Sequence, residues 1–122
     1  MHAPRRRFCL AFAVLAGAPS LAFAAPLPDQ EIEALIARVE HARGVVFIRN
    51  GREYSAGKAA AHLRRKRDAA RGRIRTPEQF IEHLGTRSSI TGKPYRVRLP
   101  DGRTLDSAAW LQQLLREVRA QR

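Results

Sequence analysis

Four groups of residues in this 122-residue chain have types and spacings that invite a chemical reading. Ser55-Ala56-Gly57-Lys58 matches the Ser-x-x-Lys pattern, in which a serine at a helix start is activated by a lysine one turn on. That chemistry needs further motifs and a far larger fold, and a serine so placed is explained as a helix cap. Gly92-Lys93 resembles the end of a phosphate-binding loop. The pattern needs glycine where Arg87 stands, and serine or threonine where Pro94 stands. His41, His62 and His83 have no metal-ligand spacing on a helix, and the lone cysteine, Cys9, lies far from them. Ser88-Ser89 lacks the glycine frame of a hydrolase elbow, which leaves hydrogen bonding within a loop as its role. The expectation is a domain without metal, cofactor or disulfide.

Charge is the other candidate chemistry. The chain has 23 lysines and arginines against 11 acids, a net charge of +12. Residues 58–75 hold eight bases and a single acid, Asp68. Such an excess favours acidic partners: lipid headgroups, polysaccharide, nucleic acid or acidic protein. Only Lys58, Lys66 and Lys93 are lysines, a bias that genome composition alone can produce. No exposed aromatic interleaves with the basic run for base stacking, so nucleic acid is not the expected partner.

The first residues act as an address. Arg5-Arg6-Arg7 forms a positive n-region, Phe8 to Ala18 an apolar h-region, and Ala22-Phe23-Ala24 a peptidase site before Ala25. The apolar run is too short for a membrane span. Cys9 lies near its start, where no lipidation cysteine belongs. The expectation is a Sec-type signal peptide over 1–24 and a periplasmic or secreted domain over 25–122, monomeric and with no transmembrane span after cleavage.

Several elements must position any site. Asp29 can cap a helix over about 30–42, with Ile32, Leu35, Ile36 and Val39 as one apolar stripe and Gly44 as its left-handed stop. Val45 to Ile48, Asn50-Gly51 and Tyr54 predict a type I′ hairpin, with Phe47 opposite Tyr54 and Arg49 opposite Arg52. Ser55 opens a second helix reaching about Arg71, its apolar face thin. Thr76-Pro77-Glu78-Gln79 predicts a third helix start, with Gln79 closing a capping box and Gly85 as the stop. Residues 86–94 read as a loop. Tyr95, Val97 and Leu99 alternate with Arg96 and Arg98, a strand with a basic outer face, and Thr104-Leu105 can return beside it. Asp106 or Ser107 caps a last helix that buries Trp110, Leu111, Leu114, Leu115 and Val118. Phe47, Ile48, Leu63, Phe80, Ile81, Leu84, Val97 and Leu99 complete the expected core. The fold class is α+β: a single two-layer domain with a small antiparallel sheet from two hairpins and about four helices. Spacing alone leaves the order of the hairpins open.

The combination of Phe47-Ile48-Arg49-Asn50-Gly51, Tyr54, His62-Leu63, Lys66, Phe80-Ile81, Ser88-Ser89, Gly92-x-Pro94-Tyr95-x-Val97 and Trp110-Leu111 resembles the YfeK-like family of small exported bacterial proteins, a domain of unknown function. The resemblance covers the mature chain and implies no established activity. It also implies a cysteine pair at positions held here by Val45 and Leu99, which would bring the two hairpins into one sheet. The polar residues of the pattern are Arg49, Asn50, Tyr54, His62, Lys66, Ser88, Ser89 and Tyr95. With Lys93, and without Asn50, which turn geometry explains, they are the candidate binding residues. A site would lie where Arg49, His62, Lys66 and Ser88-Ser89 converge. The leading expectation is a non-enzymatic envelope protein that recognises an anionic lipid headgroup, lipopolysaccharide or peptidoglycan. The rival is a small envelope-polymer hydrolase using His62 with Ser88 or Ser89.

Overall fold

The computed structural model describes residues 27–121. The expected signal segment, its cleavage site and Cys9 lie outside the described residues. The chain folds as α1 (Pro28–Glu40), β1 (Val46–Arg49), β2 (Arg52–Tyr54), α2 (Ala56–Ala69), α3 (Pro77–Leu84), β3 (Arg96–Arg98), β4 (Thr104–Asp106) and α4 (Ser107–Ala120). This is the expected α+β class.

The four strands form one antiparallel sheet in the order β2-β1-β3-β4, so the two hairpins share it side by side. Asn50 and Gly51 both have positive φ, as a type I′ turn requires, and the register pairs Phe47 with Tyr54 and Arg49 with Arg52. Val46 pairs with Arg98 across β1 and β3. One step further, that register sets Val45 opposite Leu99, and both pack against the core from half-buried positions. The implied neighbourhood of these two residues is therefore present.

Strand alternation puts Phe47, Arg49, Tyr54, Tyr95, Val97 and Leu105 on the face toward the helices. Ile48 points to the other face and is half-buried, which removes it from the expected core. There Arg98 pairs with Glu53 at 2.8 Å and Arg96 with Asp106 at 3.5 Å. The core joins Ile32, Leu35, Ile36 and Val39 of α1 to Phe80, Ile81 and Leu84 of α3 and to Trp110, Leu111, Leu114 and Leu115 of α4. Phe47 meets Trp110 edge-on at 5.4 Å, which fastens the sheet to α4. Val118, like Leu99, is only half-buried.

Several helix ends differ from expectation. Helix α1 starts at Pro28, so Asp29 lies in its first turn and does not cap it. Proline needs no N–H partner there, which makes it the natural first residue. The helix stops at Glu40, and Gly44 (φ +73°) turns the chain three residues past the C-cap, His41. Ser55 caps α2 and Thr76 caps α3, each accepting from the N–H three residues on. Gln79 does not close a box on Thr76; its side chain accepts from the Arg75 N–H at 2.7 Å. Gly85 has negative φ, so backbone conformation does not call for glycine; a Cβ there would lie 2.6 Å from Leu111 Cδ1, which would have to shift. Asp106 precedes α4 without capping it and spends its carboxylate on Arg96.

The basic run lands mostly on α2, and α1 answers Arg64 and Arg67 of it. Arg64 reaches Glu40 at 3.0 Å and Glu33 at 3.4 Å, and Arg67 reaches Asp29 at 3.1 Å. Across the molecule, Arg119 of α4 holds buried Glu31 of α1 at 3.1 Å and Glu78 of α3 at 2.7 Å. Both carboxylates hold the Arg119 guanidinium well above its ordinary value, the Glu31 hydrogen bonds contributing most.

Candidate functional site

The opposite side of α2 is built differently. His62 and Lys66, four residues apart, face the sheet. Between this helix and the strands lies a cavity of about 320 Å³. Phe47, Ala59, Leu63 and Leu111 supply apolar lining, and Arg49, Tyr54, His62 and Tyr95 supply polar groups. Lys58 and Arg65 line it from exposed positions. No acid lines it.

Four of the eight candidate residues line this cavity, and a fifth, Lys66, joins them through Tyr95. Arg49 Nη2 donates to the Tyr54 hydroxyl at 3.1 Å, and its guanidinium lies 5.0 Å from the Tyr54 ring. Arg49 Nη1 stands 3.2–3.3 Å from the two His62 ring nitrogens. Lys66 Nζ donates to the Tyr95 hydroxyl at 3.0 Å, and that hydroxyl lies 3.3 Å from His62 Nε2. Lys66 also donates to the Leu84 carbonyl at 3.0 Å, where the C-terminal end of α3 favours a cation.

This geometry fixes the protonation logic. Partial burial, then the charges of Arg49, Lys66 and Arg65, lower the His62 pKa from its usual 6.5 to about 4. His62 is therefore neutral at physiological pH. Lys66 donates to Tyr95, and Tyr95 can then donate to the Nε2 lone pair. Tyr54 is pulled below the ordinary phenol range, chiefly by the Arg49 hydrogen bond. The site holds two cations bonded to neutral partners, one neutral imidazole and two phenols.

The other three candidates lie elsewhere. Ser88 is buried, and its Oγ accepts from Ile90 N at 3.2 Å, Thr91 N at 3.3 Å and Asn50 Nδ2 at 3.4 Å. It caps its own turn and ties that turn to the β1–β2 hairpin. Ser89 and Lys93 are exposed, and none of the three lines the cavity. Arg49 therefore approaches the Ser88-Ser89 loop only through its neighbour Asn50. Among the described residues, the side-chain partners of His62 are Arg49 and Tyr95, so no histidine–serine pair is assembled. A base held near pKa 4 would also be weak at neutral pH. Among the described residues no cluster of three or more His, Cys, Asp or Glu is placed to hold a metal ion, and no helix is long and apolar enough to cross a membrane.

Sequence reasoning missed Ser107 as a cavity residue. It is 5% exposed and lines the cavity, and its N–H donates to the Tyr95 carbonyl at 2.8 Å. A serine beside an aspartate at a helix start reads as a cap, and only the sheet's inward alternation signals another role.

A family of unknown function, DUF5329, matches residues 26–119. The uncharacterised protein YfeK of Salmonella typhimurium is 37% identical over 87 residues, which cover 71% of this chain and 72% of that protein. No solved structure matches. A match spanning nearly the whole described domain, together with that identity, means that the chain belongs to the DUF5329 family.

Proposed function

We propose that this chain is an exported, non-enzymatic binding protein of the cell envelope whose cavity receives an anionic group. The observation that carries the reading is the electrostatic imbalance at the cavity. Arg49 lines the space and Lys66 stands behind Tyr95; among the described residues both are hydrogen-bonded only to neutral groups, Lys58 and Arg65 line the same space, and no carboxylate does. Partly desolvated cations without a counter-charge favour the entry of an anion. Elsewhere on the molecule comparable arginines are matched to acids.

The reading is tested by titrating the purified protein against anionic phospholipid vesicles, lipopolysaccharide and peptidoglycan fragments at two salt concentrations. Binding to at least one at low salt, weakened at high salt and by Arg49→Gln, is expected. No binding to any of them at low salt removes the proposal.

A further inference from the structure

Ser107 adds a detail that the anion reading does not require. Its side chain is more than nine-tenths buried and lines the cavity. Among the described residues no donor or acceptor is hydrogen-bonded to its Oγ. A buried hydroxyl without a protein partner is costly, and native structures reserve such groups for a ligand or an ordered water.

The sheet register says where this hydroxyl lies relative to the cation. Arg49 pairs with Arg52, and the β1–β3 register carried one step further sets Arg49 opposite Tyr95. Tyr95 in turn accepts from Ser107 N. Arg49, Tyr95 and Ser107 therefore lie in one row across the sheet, all turned toward the helices. Two strand spacings separate the backbones of Arg49 and Ser107, about 10 Å. Tyr95 stands between them in that row, and Phe47 and Leu111 add apolar lining to the same cavity. At about 320 Å³ the cavity sits at the small end of the range for ligand pockets, which favours one ring or a short chain over a whole lipid.

Resting on the anion reading above, we propose that the ligand is a small amphipathic anion with a hydrogen-bonding group at the end remote from its charge. Arg49 takes the charge, the apolar lining takes the body, and Ser107 Oγ reads the far group. A phenol or alcohol suits that end, because a serine hydroxyl both donates and accepts. Ser107 is then the residue that sets specificity among anions, while Arg49 sets the requirement for charge.

The test uses two probes that differ by one hydroxyl, 3-phenylpropanoate and 3-(4-hydroxyphenyl)propanoate, titrated calorimetrically into the purified protein. The hydroxylated compound should bind about five- to tenfold tighter, a discrimination of the size one buried hydrogen bond provides. Ser107→Ala should abolish that preference. Arg49→Gln should weaken both probes. Ser107→Ala should also keep or raise the melting temperature, since it deletes an unpartnered hydroxyl; a lowered melting temperature would assign Ser107 to the fold and overturn the inference. Equal affinity of the two probes would overturn it while leaving the anion reading intact. Failure of both probes where an envelope component binds would do the same. Failure of both probes and of every envelope component would remove the two proposals together.

Discussion

The two sides of α2 carry similar residues and do opposite things. On one side Arg64 and Arg67 are matched to Asp29, Glu33 and Glu40 of α1. On the other, Lys58, His62 and Arg65 line a cavity that no acid among the described residues lines, and Lys66 stands behind it on the Tyr95 hydroxyl. The first set is structural, a solvent-facing seam between two helices. The second leaves positive charge facing a space large enough for a ligand. Net charge therefore overstates the binding surface: Arg64 and Arg67 of the basic run are neutralised by a neighbour distant in sequence, while Lys58 and Arg65 line the cavity.

The sharpest perturbation concerns the sheet, at the end of β1 remote from Arg49. Replacing Val45 and Leu99 together with cysteine should form a disulfide between β1 and β3, because the register sets these positions opposite each other. The chain-entropy argument allows a gain of roughly 2–4 kcal/mol, read by denaturant unfolding with and without reductant. A double variant that stays reduced under oxidising conditions would mean that the two side chains do not meet. Anion binding should survive the crosslink if the cavity is preformed.

The paired charges should register in stability alone. Arg119→Ala leaves Glu31, which is nearly buried, without its main partner. The expected loss is about 2 kcal/mol, less than for a fully buried pair because Arg119 is partly solvated. Unfolding curves would show it, and anion binding should not change.

His62 links the cavity to pH. Its folded pKa of about 4 lies below the usual 6.5, so on acidification the unfolded chain takes up this proton first. Its contribution to stability is complete above about pH 6.5 and is lost as pH falls toward 4. The loss is roughly 1–2 kcal/mol after allowance for solvent screening. His62→Gln should flatten that part of the stability profile; an unchanged slope would place His62 in a more open setting than the Arg49 and Tyr95 contacts describe.

The smallest effects belong to the α1–α2 seam. Arg64→Gln and Arg67→Gln should each cost less than about 1 kcal/mol, as exposed ion pairs do. A larger thermal shift from either would make that seam a main support of the fold.

Much of this architecture was legible because it is local. The apolar stripe of α1, the Asn50-Gly51 turn and the Thr76-Pro77 helix start each fix an element within a few residues. Helix ends were read less well where two residues competed for one role, as with Pro28 and Asp29. Five candidate residues do converge, and they were marked by family resemblance more than by chemistry of their own. Ser88 failed as a candidate because its hydroxyl serves its own turn, which only the loop's path reveals. The division of α2 was latent in the sequence: Asp29, Glu33 and Glu40 share one face of α1, and Arg64 and Arg67 share one face of α2. What joins those faces is the packing of the two helices, which no spacing within either helix specifies. Ser107 was hidden for the same reason, since its burial depends on three strands aligning across the sheet.

The central claim, that the charges without acids are the ones that bind, is tested most directly by comparing two variants of equal charge. Arg49→Gln and Arg64→Gln each remove one positive charge, so long-range attraction falls by the same amount. Binding to anionic vesicles at low salt should drop about tenfold for Arg49→Gln and stay close to the parent protein for Arg64→Gln. Equal losses in the two variants would show that diffuse surface charge, and not the cavity, attracts the anion.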